Sequence, residues 1–280
     1  MTAPNAPSSA GGRSMPPQFP NFVSFTQDWL LPTISVRLAE ANRENTYTWC
    51  GKWWAHRSVA VRFAHLHTAF EAMRRSKSGS SLSSFMLSHV DAHLQVILDA
   101  SNGPLHRCTR VAHQLNPSLP FDPVPAGWFR IPEIDAAISE RKFRHHSLFV
   151  EQWLLPLISV RIAANNRENQ YTWCRQWWRH QAVVVRFAGL HACFEAAIKA
   201  DDKMAMSSLF TRYIDPTMRH ALDAANGPMH RCTPDKHVDM FGLVGEAIPA
   251  HWFELPGVTT SREWLGFGPD FRGLAGDAVV

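Results

Sequence analysis

Cysteine and histidine recur together at two places in the chain, and both residue types bind zinc. The candidate ligands are Cys50, His56, His106 and Cys108 in the first group, and Cys174, His180, His230 and Cys232 in the second. Two cysteines and two histidines per group suit structural zinc, which takes four such ligands. The spacing opposes it, because zinc ligands usually come in pairs two to four residues apart. Two packed buried thiols, or a disulfide or redox role, are the alternatives.

The two groups belong to an internal repeat. Residues 42–67 match residues 166–191 without a gap, an offset of 124 residues. LDASNGPLHRCT at 98–109 matches LDAANGPMHRCT at 222–233, and PAGWF at 125–129 matches PAHWF at 249–253. The chain is therefore a tandem duplication. It divides into a disordered leader (1–20), repeat A (21–130), a linker (131–146), repeat B (147–254) and a tail (255–280).

Each repeat predicts three helices and no strand, so the fold class is all-α. The first helix carries a kinking proline at Pro32 or Pro156. The second, predicted from Tyr47 to about Arg75, repeats apolar residues at helical spacing and should form the core. The third, from about Leu82, ends at an Asn-Gly-Pro cap, where glycine supplies a left-handed residue. Because a two-fold homodimer fuses readily, we expect the repeats to pack as a pseudo-two-fold pair.

A stripe beside the apolar face of the second helix could line a binding groove. His67 and Glu71 are four residues apart and can touch, whereas His56 and His67 lie about 16 Å apart along a helix and cannot share a metal ion. The alternative for this stripe is a surface His–Glu pair beside a buried His56. With two arginines per repeat, the candidate binding residues are Trp53, His56, Arg62, His67, Glu71, His106 and Arg107, and Trp177, His180, Arg186, His191, Glu195, His230 and Arg231.

Composition narrows the class of protein. Hydrophobic residues make up 45% of the chain, enough for a globular core, and the net charge of +4 permits an acidic partner without requiring one. The N-terminus lacks the apolar core of a signal peptide, and no run of 18 apolar residues is present. The five cysteines include no C-x-x-C pair. Together with the missing signal peptide and the missing apolar run, this predicts a cytoplasmic protein that does not span a membrane.

The motif W-C-x-x-W-W-x-H, followed by Arg, Glu, Asp and G-P-x-x-x-C, resembles the actinobacterial and actinophage domain-of-unknown-function family 4913. Its positions are Trp49, Cys50, Trp53, Trp54, His56, Arg62, Glu71, Asp91, Gly103, Pro104 and Cys108, and the same positions 124 residues later. The chain departs from the family pattern at Ser58 and Ala182, where Glu is usual, and at His67 and His191, where Trp is usual. The resemblance implies a phage or mobile-element setting and no activity.

No nucleophile elbow, Walker A loop, dinucleotide fingerprint or H-E-x-x-H motif occurs. We therefore expect a non-enzymatic helical binding or adaptor protein, with a protein partner and no obligatory cofactor. A nucleic-acid-associated accessory protein is the first alternative. A zinc-dependent module or enzyme is the second.

Overall fold

The computed structural model describes residues 16–39, 46–109, 112–129, 140–163, 170–240 and 242. The leader up to residue 15, most of the linker and the tail lie outside the described residues. Within the described ranges the chain is helical, and the only pairings of extended type are isolated bridges. The predicted all-α class is confirmed.

The first helix of each repeat is continuous, with a π-helical turn between two short α-helical segments. In repeat A an α-helical turn at Phe22–Phe25 passes into a π-helical turn at Thr26–Leu30 and ends in Leu31–Thr33. We call this run α1. Its counterpart in repeat B, α4, consists of His146–Phe149, Val150–Leu154 and Leu155–Leu157. In both, the predicted proline, Pro32 or Pro156, lies in the last turn. Proline has no backbone N–H, so it cannot donate a helical hydrogen bond there.

The second helix is the longest of each repeat, Arg57–Arg75 (α2) in repeat A and Gln181–Lys199 (α5) in repeat B. The predicted start at Tyr47 is wrong, because residues 46–48 follow an extended path. There Thr48 N donates to Leu98 O, and Ala100 N donates to Thr46 O. A 3₁₀ turn then precedes each helix, at Trp53–Ala55 and at Trp177–Arg179.

The third helix again combines α and π turns. It consists of Ser81–Phe85, Met86–Val90 and Asp91–Leu98 in repeat A (α3), and of Ala205–Ser208, Leu209–Ile214 and Asp215–Leu222 in repeat B (α6). Gly103 follows α3 as predicted, but for a different reason. A Cβ at Gly103 would lie 2.5 Å from Asp99 O, whereas the one described glycine with positive φ is Gly127. Close backbone approach requires the glycine here, not a left-handed conformation.

Each repeat has its own hydrophobic core around its second helix. The predicted core residues are buried in both, namely Val59, Phe63, Leu66 and Phe70, and Val183, Phe187, Leu190 and Phe194. Leu119 and Phe129, which follow the helices of repeat A in the chain, belong to the core of repeat B. The end of one repeat therefore extends onto the next.

The two repeats meet through surfaces that are not equivalent. Helix α2 of repeat A packs on α6 of repeat B, and Arg62 of α2 forms a buried ion pair with Asp215 of α6. A two-fold pair would bury Arg186 against Asp91 in the same way, but both of those side chains are exposed. The predicted two-fold packing is therefore not what this contact shows. The contact instead joins one surface of repeat A to a different surface of repeat B.

Among the described helices, α5 alone is long and apolar enough to meet the length and composition of a membrane span. It is the central helix of repeat B, and Val183, Phe187 and Leu190 on it are buried in the core. Core helices of globular proteins meet the same criterion, so the finding is weak evidence for a membrane.

Candidate metal centres

The cysteines and histidines of repeat A converge because four short segments meet at one end of α2. Cys50 ends the extended segment, and the 3₁₀ turn Trp53–Ala55 turns the chain so that His56 stands at the N-terminus of α2. Cys108 follows α3, and its carbonyl accepts a 2.9 Å hydrogen bond from the buried Thr48 hydroxyl. His113 lies five residues further on. The segment after α3 therefore returns to the start of α2.

The ligand atoms of this group lie within reach of a single ion. One atom each from Cys50, His56, Cys108 and His113 lies within 4.8 Å of all the others. Cys50 Sγ is 3.2 Å from His113 Nδ1, and Cys108 Sγ is 3.4 Å from His56 Nε2. In a tetrahedral site with usual zinc bond lengths, sulfur and nitrogen ligands stand roughly 3.5 Å apart. These two distances are close to that value, and the distance from Cys108 Sγ to His113 Nδ1 is longer, at 4.0 Å.

Repeat B reproduces the cluster with Cys174, His180, Cys232 and His237, again within 4.8 Å of one another. Cys174 Sγ is 3.3 Å from His237 Nδ1, and Cys232 Sγ is 3.4 Å from His180 Nε2. Thr172 donates to Cys232 O, as Thr48 does to Cys108 O. Two copies that have diverged elsewhere thus retain the same four-ligand geometry.

The surroundings of the two clusters differ in one respect. His237 Nε2 lies 2.7 Å from Asp239 Oδ1, and Asp239 in turn pairs with Arg179 at 3.1 Å. A carboxylate on the second ring nitrogen fixes the orientation of a ligand histidine and strengthens it as a ligand. The corresponding position in repeat A is Leu115, which cannot do this.

One thiol of each cluster is held protonated. Burial raises the pKa of Cys50 to about 11, the hydrogen bond with Cys232 raises the pKa of Cys174, and burial lowers the pKa of His56. In repeat B the hydrogen bond from Cys174 lowers the pKa of Cys232 to about 4, with help from His180. Backbone N–H groups also face the sulfurs, from Gln114 to Cys108 at 3.4 Å and from Val238 to Cys232 at 3.3 Å. Neutral imidazoles and N–H-bonded thiolates are the forms in which these groups bind metal.

His106 and His230, the predicted ligands, are not in the clusters. The Nδ1 of each lies 2.9 Å from a glycine carbonyl, Gly103 O or Gly227 O, within the turn that follows the third helix. His113 and His237 take their place. A signal for them was available, because the two histidines also match at the offset of 124. Each lies five residues beyond its cysteine, outside the conspicuous H-R-C-T run.

The predicted groove residues contact the protein itself. Glu71 accepts hydrogen bonds from Gln18 N and Phe19 N, and His67 Nε2 lies 3.2 Å from Phe19 O. Glu195 and His191 hold Lys142 and Phe143, which precede α4, in the same way. Trp53 and Trp177 are buried in the cores. The histidine and the glutamate of each repeat therefore hold the segment that precedes the first helix. That segment lies where a groove was expected.

The predicted arginines divide into two kinds. Arg62 is buried against Asp215 and is not available to a phosphate backbone, whereas Arg107, Arg186 and Arg231 are exposed. Beside the ion pair, a cavity of about 180 Å³ lies between the repeats, with Asp99, Tyr171 and Arg219 in its lining. Its lining carries acidic and basic groups together and selects no ligand class.

The comparison with known families agrees with this duplicated geometry. A family model described as a domain of unknown function, DUF4913, matches residues 19–125 and again residues 143–250. The chain belongs to this family. No curated protein and no solved structure matches the chain. The DUF4913 unit is thus present twice, and each match contains one complete Cys₂His₂ cluster.

Proposed function

We propose that this DUF4913 protein is a non-enzymatic binding protein whose two repeats are each stabilised by one structural zinc ion. The observation that carries the proposal is the pair of Cys₂His₂ clusters. Two sulfurs and two imidazole nitrogens are the ligand set of structural zinc, and soft thiolate ligands disfavour magnesium and calcium.

A structural role follows from the number of ligands. Catalytic zinc sites usually leave one coordination position for water or substrate, whereas four protein ligands close a tetrahedral site. Three of the four ligands in each cluster are buried. Each ion would tie the start of the second helix to the chain that follows the third helix, and would fix the two ends of one repeat together.

A binding role is supported by what the fold leaves exposed. Trp54 is 62% exposed and Leu87 67% exposed, although both belong to ordered parts of repeat A. Such side chains mark a contact site for another protein when they form one contiguous apolar patch. The nucleic-acid alternative loses Arg62, which is committed to Asp215.

Metal analysis of the purified full chain tests the zinc sites. We expect two zinc ions per chain, one for each cluster. The variants His113→Ala and His237→Ala should each retain one ion, and the double variant none. His106→Ala and His230→Ala are the matched controls, because these histidines lie in the same loops outside the clusters, and they should retain both ions.

Two outcomes would contradict the proposal. One is a chain, produced with zinc in the medium, that carries no stoichiometric zinc. The other is a His113→Ala variant that remains folded by circular dichroism and keeps two ions. Loss of zinc only in His106→Ala would show that the ligand set has been assigned wrongly.

A further inference from the structure

The buried contact between the repeats joins two distinct surfaces. On repeat A, Arg62 and His93 form what we call the arginine face. On repeat B, Ser207, Phe210 and Asp215 form the aspartate face. Arg62 donates two hydrogen bonds to the Asp215 carboxylate, and its guanidinium lies 4.8 Å from the centre of the Phe210 ring. His93 Nε2 lies 3.0 Å from Ser207 Oγ.

Each repeat also carries the other face. Repeat B has an arginine face around Arg186, where Val185 is 43% exposed and Tyr213 48% exposed. Repeat A has an aspartate face around Asp91, where Leu82 is 51% exposed and Leu87 67% exposed. One face of each kind is therefore covered inside the chain, and one of each kind is exposed.

Helix α5 gives an independent sign that its exposed face is normally covered. It is the most apolar long helix among the described residues, yet several of its side chains are exposed. Its exposed positions Ala182, Val185 and Arg186 correspond to Ser58, Val61 and Arg62, all of which are buried or partly buried. The apolar surface of α5 lies where α2 contacts the next repeat.

We propose that the exposed arginine face of repeat B binds the exposed aspartate face of a second copy of this chain, with Arg186 of one molecule paired to Asp91 of the other. The contact inside the chain is the template, since Arg186 and Asp91 are the counterparts of Arg62 and Asp215. Because the two faces differ, the contact is heterologous, and repetition gives a head-to-tail ring or filament. The occupant is identified by charge complementarity and by continuity with the contact already formed.

The contact between molecules is weaker than the contact within one. Phe210 corresponds to Met86, and His65 and His93 correspond to Gly189 and Thr217, so the stacked ring and the histidine contacts are missing. The arginine and the carboxylate are retained, and so is the serine, as Ser83 and Ser207. We expect association in the micromolar range, in which contacts are transient and depend on concentration.

The inference deepens the proposed binding role by naming the partner, and it does not depend on zinc. The test is sedimentation velocity of the full chain over a concentration series, with zinc content measured on the same samples. The parent chain should form dimers and larger species as concentration rises. Arg186→Glu and Asp91→Arg should each weaken association by at least about tenfold, because each places like charges across the contact.

Mixing the two variants gives the deciding result. In an alternating assembly, the glutamate introduced by Arg186→Glu meets the arginine introduced by Asp91→Arg on the neighbouring chain. At the next contact the unchanged Arg186 meets the unchanged Asp91, so every contact pairs opposite charges. We expect the mixture to recover association that neither variant shows alone. Lys199→Glu is the control variant, since Lys199 ends α5 about 20 Å along the helix from Arg186 and pairs with the exposed Glu140, and it should associate like the parent.

A parent chain that stays monomeric at the highest concentration overturns the inference, and so does association that both reversals leave unchanged. Failure of the mixture to recover association also overturns it. Zinc content separates this failure from failure of the proposed metal sites, because monomeric chains with two zinc ions would contradict only the self-association.

Discussion

The Cys₂His₂ clusters and the faces between repeats differ in how far their two copies agree. Both clusters keep the same four residue types, nearly the same distances and the same supporting threonine hydrogen bond. The arginine and aspartate faces share only the charged pair and the serine, and their exposed copies lack the aromatic and histidine side chains of the covered ones. A cluster closes within one repeat, so each copy supplies all four of its side chains by itself. A face is satisfied by its neighbour, so only the covered copy must be complete.

The comparison predicts that metal removal is the most damaging change and acts on both repeats. Zinc binding contributes about 10–16 kcal/mol in small zinc-finger peptides. A repeat with its own core should keep part of its structure, so we expect a loss of several kcal/mol and a fall in Tm of more than about 15 °C. Thermal unfolding followed by circular dichroism, with and without a strong chelator, measures it.

The two ions should also leave at different chelator concentrations. Repeat A should lose its ion first, because His113 has no counterpart of the Asp239 carboxylate that supports His237. Asp239→Leu, which installs the residue of repeat A, should bring the two release steps together. If the chelator removes both ions in one step from the parent chain and leaves Tm unchanged, the clusters are not the element that stabilises the repeats.

The next largest effect separates the two arginine faces. Arg62→Ala leaves Asp215 buried without its partner and should cost about 3–5 kcal/mol of unfolding free energy. Arg186→Ala makes the same chemical change at an exposed position and should stay within about 0.5 kcal/mol in dilute solution. Denaturant unfolding of both variants, at a concentration where the parent is monomeric, measures the difference.

Equal costs for the two variants would contradict the assignment of a covered and an exposed face. A further variant guards against misfolding of Arg62→Ala. The double variant Arg62→Met with Asp215→Leu replaces the pair by apolar groups, and it should recover most of the lost stability, because a buried ion pair contributes little beyond its own desolvation.

The helices could be predicted from the sequence because their apolar spacing is local information. Val59, Phe63, Leu66 and Phe70 fall on one face of any α-helix, and all four are in the core. The start of α2 could not be predicted so well. Residues 46–48 are held by hydrogen bonds to Leu98 and Ala100, about fifty residues away, which override the helical preference of the segment.

The candidate site was predicted only in part, because contacts between distant parts of the chain determine its geometry. Cys50, His56 and Cys108 could be identified as candidate ligands from their residue types. The 3₁₀ turn that brings Cys50 to His56 could not be predicted from their spacing. The choice of His113 over His106 depends on the loop after α3, where His106 Nδ1 faces Gly103 O. The unequal packing of the repeats could not be read from a gapless duplication, since identical segments predict identical surroundings.

The smallest predicted effect concerns pH, and one part of it belongs to the covered face. Burial, with the charge of Arg62 as the second cause, lowers the pKa of His65 from 6.5 to about 4, and burial also lowers the pKa of His89 and His93. In the unfolded chain these histidines take up protons near pH 6.5, whereas in the folded chain they resist protonation. The stability they permit is complete above pH 6.5 and is lost as the pH falls toward 4.

His65→Gln isolates this contribution, because other histidines and the metal ligands also take up protons in acid. Each proton bound only by the unfolded chain changes the unfolding free energy by about 1.4 kcal/mol per pH unit. The variant should therefore lose stability less steeply than the parent on acidification, by up to that slope. Its stability near neutral pH should change little, because glutamine keeps a polar side chain of similar size beside Phe210 and Arg62.

The counterpart of His65 in repeat B is Gly189, and Gly189→Ala should leave the pH profile unchanged. A parallel pH profile for His65→Gln and the parent, measured by denaturant unfolding in matched buffers, would show that His65 does not resist protonation in the folded chain.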